Sequence, residues 1–193
     1  MEKITTSEII KFDKNILKNK IIAFPTDTVY GVGCLYLDIE ARNKIYDMKK
    51  RDYGKPLPIL VSDVNMAKTI AQIDDEMMKY TSKWPGALTI IFKTIDPHYI
   101  HDTVAIRIPD SKVALKLLNH FGPMEVTSVN YSGEKEINTC DEIEKLFQDK
   151  IDYLITDYQL FSSTPSTVLS LVGEKKILRQ GAIIFDEFDD EKK

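Results

Sequence analysis

The chain reads as a single α/β (α+β) domain built on a twisted, open, mixed sheet. Apolar runs of strand length alternate with helical patterns along nearly its whole course. Its 193 residues suffice for one domain with a sizeable core. No internal repeat, long linker or low-complexity block divides it. The domain is therefore placed at residues 1–185, with the charged residues 186–193 as a frayed tail.

The elements follow in order. Residues 7–17 carry apolar side chains at helical spacing (Ile9, Ile10, Phe12, Ile16, Leu17). Residues 21–24 form a short strand that Pro25 ends. Thr26, Asp27 and Thr28, then Tyr30, Gly31 and Gly33, read as a strand-end turn leading to a helix, where open α/β sheets place small-molecule sites. Asp38 caps a helix to about residue 50, with Ala41, Ile45 and Met48 on one face and Lys44, Lys49, Lys50 and Arg51 towards its end. Residues 58–61 are a strand. Asp63 and Asp74 then open helices reaching about residues 72 and 83.

Trp84-Pro85-Gly86 turns the chain into a strand at 87–93, and a loop at 96–102 carries His98 and His101. In the strand at 103–108, Val104, Ile106 and Ile108 share one face, so Arg107 leaves on the other with Ala105. A salt bridge or an anionic ligand would account for that cation. A helix at 112–120 closed by Gly122, a strand at 125–129, a helix capped by Thr139 or Asp141, and strands at 153–156, 168–172 and 176–179 complete the chain.

Composition bounds the function. Lys+Arg 26 against Asp+Glu 30 gives a net charge of −4, which argues against a surface built to coat nucleic acid. Cys34 and Cys140 form no C-x-x-C pair, so neither a disulfide framework nor a zinc site is indicated, and His98, His101 and His120 lack metal-ligand spacing. The expected setting is a reducing cytoplasm. No signal peptide is expected at the N-terminus, and no apolar run approaches the roughly 20 residues that span a bilayer, so no membrane partner is expected.

The polar groups at strand ends share a character: Thr26, Thr28 and Tyr30; Lys49, Arg51 and Lys55; Thr103 and Arg107; Ser128 and Asn130; Ser166 and Thr167; Arg179. Hydroxyls, an amide and cations, with Asp27 as the only carboxylate, suit holding a phosphorylated or carboxylated ligand rather than acid/base work. Neither a P-loop, a dinucleotide-binding glycine fingerprint nor a nucleophile elbow is present.

Several blocks, taken in order, resemble the YrdC/TsaC family of threonylcarbamoyl-AMP synthases. They are Phe24-Pro-Thr-Asp-Thr-Val-Tyr-Gly-Val-Gly-Cys34, Lys49-Lys-Arg51 with Lys55-Pro-Leu57, Trp84-Pro-Gly-Ala-Leu-Thr89, and Thr103-Val-Ala-Ile-Arg-Ile-Pro109. Thr127-Ser-Val-Asn-Tyr-Ser-Gly133, Pro165-Ser-Thr-Val168 and Ile177-Leu-Arg-Gln-Gly181 complete the set. The resemblance implies a single YrdC-like domain with helices around a concave cationic face. It also implies a nucleotidyltransferase that joins L-threonine, bicarbonate and ATP into L-threonylcarbamoyl-AMP with release of pyrophosphate, the first step of tRNA t6A37 modification. Mg²⁺ would travel with the nucleotide. The product would pass to the t6A transferase machinery, with weak tRNA binding as a further implication.

Carried over by residue, Lys49 and Arg51 would grip the ATP phosphates as the catalytic cations. Lys55, Thr103, Ser128, Asn130 and Arg179 would add contacts to ATP. Thr26, Thr28, Tyr30, Arg107 and Ser166 would hold threonine, Arg107 pairing with its carboxylate. The chain departs from the family pattern at Asp52, Leu60 and Ser170, where relatives often carry Pro, His and Asp. The alternative reading is a non-catalytic module of the same fold that binds tRNA or double-stranded RNA. The carbamoyl-transfer use of the domain in hydrogenase maturation is a third, in which the domain sits in a much longer chain with zinc-binding cysteines.

Overall fold

The computed structural model describes residues 1–158 and 162–185, and the tail expected at 186–193 lies outside them. The strands are β1 (Glu2–Ile4), β2 (Ile22–Pro25), β3 (Tyr30–Leu35), β4 (Ile59–Leu60), β5 (Leu88–Lys93), β6 (Thr103–Arg107), β7 (Met124–Ser128), β8 (Tyr153–Ile155), β9 (Thr167–Ser170) and β10 (Lys176–Arg179). They join one sheet in the order β1-β8-β2-β3-β7-β4-β6-β5-β9-β10. The sheet is mixed: β2–β3, β3–β7 and β5–β6 pair antiparallel, whereas β2–β8, β4–β6 and β5–β9 pair parallel.

The helices are α1 (Thr6–Ile9), α2 (Ile39–Lys49), α3 (Val64–Lys68), α4 (Asp75–Thr81), α5 (Lys112–Phe121) and α6 (Cys140–Phe147). Side-chain oxygens start most of them. Asp38, Asp63, Asp74, Ser111 and Thr139 accept from the backbone N–H of Ala41, Met66, Met77, Ala114 and Glu142. Such a cap contributes about 1 kcal/mol. Thr69 and Ser82 end α3 and α4 earlier than expected, and their hydroxyls donate to the carbonyls of Met66 and Lys79.

Alternation along β2 shows how both faces are covered. Ile22 and Phe24 pack with Leu117, Leu118 and Phe121 of α5, while Ala23 packs on the other face with Ile45 of α2 and Phe147 of α6. A third cluster gathers Ile59, Ile90, Phe92, Val104 and Ile106 with Tyr80 and Trp84. The Trp84 indole N–H donates to the Leu88 carbonyl at 2.7 Å, satisfying its polar end inside that cluster.

The N-terminal expectations need correction. Residues 7–17 do not form one helix: Asp13 accepts from Asn15 N–H and starts a separate 3₁₀ turn at Lys14–Leu17. β1, which pairs with β8, was not expected. The stretch after Thr28 returns as β3 rather than leading directly to a helix. Gly31 and Gly33 therefore serve close packing in a strand: a Cβ there would stand 2.7 Å from Val126 Cγ1 and 2.8 Å from the Glu125 carbonyl oxygen, respectively.

Candidate functional site

Strand register builds a hollow on one face of the sheet. Gly31 lies opposite Ser128, Leu60 opposite Arg107, and Thr89 opposite Val168, and all six line a cavity of about 200 Å³. Ala105 joins Arg107 there, two residues back along β6, as the strand parity requires. Thr26 and Thr28, on the turn between β2 and β3, close one side. Pro165, Ser166 and Arg179, around β9 and β10, close another.

Arg107 is 7% exposed and held on three sides. Its Nη2 donates to Asp27 Oδ1 at 2.6 Å, Nη1 to Thr28 Oγ1 at 2.9 Å and Nε to the Gly86 carbonyl at 3.0 Å. A guanidinium has five N–H donors, so two are unclaimed among the described residues. Arg179 donates from Nε and Nη2 to the Ser166 carbonyl and from Nη2 to Ser166 Oγ, and Ser166 Oγ lies 2.8 Å from Thr89 Oγ1. Burial lowers the pKa of both arginines, and the Arg107 charge lowers that of Arg179 further. Both remain cations at any working pH. Two guanidiniums facing one walled hollow favour an anionic guest.

Behind Ser128 lies a second polar knot. Lys49 Nζ donates to the Ser128 carbonyl at 2.5 Å, the Asn130 carbonyl at 3.0 Å and Asn130 Oδ1 at 2.7 Å. Ser128 Oγ donates to the same Oδ1, and Asn130 Nδ2 to the Glu134 carbonyl. Burial, then the charge of Arg51, pushes the Lys49 ammonium down to about 8.

The structure thus brings Thr26, Thr28, Arg107, Ser128, Ser166 and Arg179 to one hollow. Other expected site residues are placed elsewhere. Lys49 and Asn130 do not line the hollow, because their polar atoms are committed to each other and to backbone behind it. Arg51 lies in an exposed loop, donating to the carbonyls of Lys55 and Pro56, and Lys55 itself is exposed. Thr103 shares the face of Arg107 but stands four residues away, roughly 13 Å along the strand. Tyr30 does not wall the hollow: strand parity turns it to the α2–α6 side, where its hydroxyl meets the Ile155 carbonyl and Cys140 Sγ at 3.2 Å.

Sequence reasoning missed Thr89 and Glu136 as lining residues. Alternation along residues 87–93 places Thr89 opposite the buried Leu88 and Ile90, and that signal was available. Glu136 lies in an irregular loop with no periodicity to mark it. Among the described residues no group of three His, Cys, Asp or Glu could hold a metal ion. No helix among them is long and apolar enough to cross a membrane.

The structure is thus an α/β domain whose mixed sheet bears a hollow lined by hydroxyl and guanidinium groups. Residues 14–181 match the family model Sua5/YciO/YrdC, described as "Telomere recombination", and the chain belongs to that family. A Methanocaldococcus jannaschii protein, provisionally named a threonylcarbamoyl-AMP synthase, is 38% identical over 88% of this chain and 84% of its own length. The threonylcarbamoyl-AMP synthases of Pyrococcus abyssi and Bacillus subtilis are each 31% identical, and the chain spans 54% and 53% of their lengths. Among solved structures, P. abyssi Sua5 complexed with L-threonine is 30% identical, with a TM-score of 0.82 over 93% of this chain and 56% of that one. E. coli YciO, at 23% identity and a TM-score of 0.80 over 90% of this chain and 89% of its own, shares the fold.

Proposed function

We propose that this chain is an enzyme that makes L-threonylcarbamoyl-AMP from L-threonine, bicarbonate and ATP, releasing pyrophosphate, as the first step of tRNA t6A37 modification. The observation that carries the reading is the hollow itself: Arg107, Arg179 and hydroxyl side chains that include Thr26, Thr28, Thr89, Ser128 and Ser166 converge in it, inside a family that includes proteins named threonylcarbamoyl-AMP synthase. Likeness to P. abyssi Sua5, which is complexed with L-threonine, supports that amino acid as one occupant.

Threonine would lie against Thr26, Thr28 and Ser166, its carboxylate taking the two unclaimed N–H groups of Arg107. Its amine condenses with bicarbonate to a carbamate, with loss of water. A carbamate oxygen then attacks the α-phosphorus of ATP in line, and pyrophosphate leaves with the electron pair of the broken P–O bond. The hollow supplies alignment and charge neutralisation, which is most of what phosphoryl-type transfer asks of a protein. Ser128 and Arg179 would meet the nucleotide. Arg51 and Lys55 would reach the phosphates from their exposed loop, and Lys49 would act by holding the Ser128–Asn130 backbone in place. Mg²⁺ would travel with the nucleotide, carried on its phosphates.

The test is pyrophosphate release by the purified chain. Release should require threonine and bicarbonate together; release indifferent to either one overturns the reading. Salt-sensitive RNA binding without ATP turnover would favour the RNA-binding module instead.

A further inference from the structure

On the other face of β7 from the hollow lies a second cavity of about 210 Å³, between α2, the loop that follows it and residues 99–101. Val126 and Ser128 face the hollow, so alternation turns Glu125 the other way, into this second cavity. Glu125 is only 1% exposed. Its Oε1 accepts from Leu37 N–H and from Arg42 Nη1, both at 3.3 Å. Its Oε2 has no partner among the described residues, yet no fully buried side-chain polar atom there lacks one. That oxygen therefore opens onto the cavity. A carboxylate oxygen so placed is short of a donor, and a ligand N–H would relieve it.

The walls favour a flat guest. Tyr46 and Tyr53 stack with ring centroids 4.8 Å apart and planes 18° apart, and Tyr99 and His101 line the cavity from the other loop. Arg42 lines it too and has N–H groups beyond the one given to Glu125. An ammonium guest would meet the Arg42 cation as well as the Glu125 anion and gain little. A neutral planar ring with an N–H donor beside an acceptor meets no such conflict. Its donor suits Glu125 Oε2, its acceptor suits Arg42, and its faces suit tyrosine rings.

We propose that this cavity is a second ligand site, separate from the hollow, that takes a nucleobase-type heterocycle. The base could arrive as a free nucleoside or as an unstacked base of single-stranded RNA, since both present the same edge and faces.

The experiment titrates the full chain with adenosine, guanosine, cytidine and uridine, and with a short single-stranded oligoribonucleotide of mixed sequence. It follows the Tyr53 and His101 ring resonances by NMR. Nucleosides carry no phosphate, so they leave the cations of the hollow without their anionic partner. At least one nucleoside should shift both resonances saturably. Tyr53→Ala, followed at His101, and Glu125→Gln, followed at both rings, should each weaken that binding at least tenfold, and Arg179→Ala, which alters the hollow, should leave the shifts at Tyr53 and His101 unchanged. Tyr53 is half-exposed, so its removal leaves the core alone. Tighter binding of the oligonucleotide at the same resonances assigns the base to RNA; equal or weaker binding assigns it to free nucleosides. No saturable shift with any probe, or shifts that both cavity variants leave intact, overturns the proposal. Pyrophosphate release is not the readout, so failure here leaves the synthase reading standing.

Discussion

Arg107 Nη2 and Asp27 Oδ1 stand 2.6 Å apart, with both side chains largely withdrawn from water. The cation comes from the end of β6 and the anion from the turn after β2, 80 residues earlier. The pair therefore ties the two halves of the sheet together at the hollow. Removing one member of a buried pair leaves the other charge uncompensated, which costs about 3–5 kcal/mol. Asp27→Ala should accordingly lower unfolding free energy by about 3 kcal/mol in urea titrations. A loss below about 1 kcal/mol would class the pair with solvated surface bridges.

The same guanidinium carries the prediction for threonine. Its three protein bonds leave along different N–H directions, and that fork orients the remaining two donors. Lysine would keep the charge but lose the fork. A charge-assisted hydrogen bond contributes roughly 1.5–3 kcal/mol, so Arg107→Lys should raise the threonine KM at least tenfold in the pyrophosphate assay. An unchanged KM would remove Arg107 from the threonine site.

Much of this was legible because strands announce their faces. Val104, Ile106 and Arg107 alone assigned the two sides of β6, and the same alternation would have assigned Thr89. Capping residues marked the start of α2 at Asp38 and of α3 at Asp63 through a side-chain oxygen that has one good partner, the N–H three residues on. What stayed hidden depends on contacts distant in sequence. Lys49 reads as a free cation at a helix end until the fold brings Asn130 onto it. Tyr30 sits among hydroxyls of the turn, yet the register of β2 with β3 turns it to the opposite face. Asp157 accepts from the backbone and hydroxyl of Thr6, 151 residues away, and nothing local marks that pairing.

Glycines divide into two kinds, and substitution should separate them. A Cβ on Gly181 would stand 2.3 Å from the Pro165 carbonyl oxygen and 2.5 Å from Thr167 N, both backbone atoms that cannot turn aside. Gly181→Ala must therefore push the chain after Arg179 off the segment that holds Ser166. Overpacking of this kind costs about 1–3 kcal/mol. Because Arg179 and Ser166 move with it, nucleotide and threonine KM should rise together. Gly133 has φ +87°, and a Cβ added there would meet nothing within 4 Å, so Gly133→Ala meets strain only and should cost about 1 kcal/mol. Thermal unfolding of both variants, with kinetics on each, checks the contrast. Equal effects on KM would mean that the 165–167 segment does not form the wall of the site.

Lys49 gives the fold a pH dependence of unusual sign. Its pKa falls from 10.5 to about 8 on folding, through burial and then the charge of Arg51. Between those values the unfolded chain binds the extra proton, so stability rises with pH across that window. Below about 8 both states are protonated and the cost of burying the cation is felt in full; above 10.5 both are neutral and the cost is gone. The gain is on the order of 3 kcal/mol across the whole window. Buried phenols act the other way at higher pH: Tyr99, pushed up to about 12 by burial, holds its proton in the folded chain after the unfolded one releases it. The Cys34 thiol, pushed up from 9.0 by burial, acts that way from about pH 9, so the Lys49 signature is clearest from about pH 8 to 9. Urea midpoints should climb there in the parent chain, and Lys49→Met should flatten the climb. Parallel slopes for the two would show that the three oxygens around Nζ hold the proton as firmly as water does, and that burial leaves this lysine unshifted.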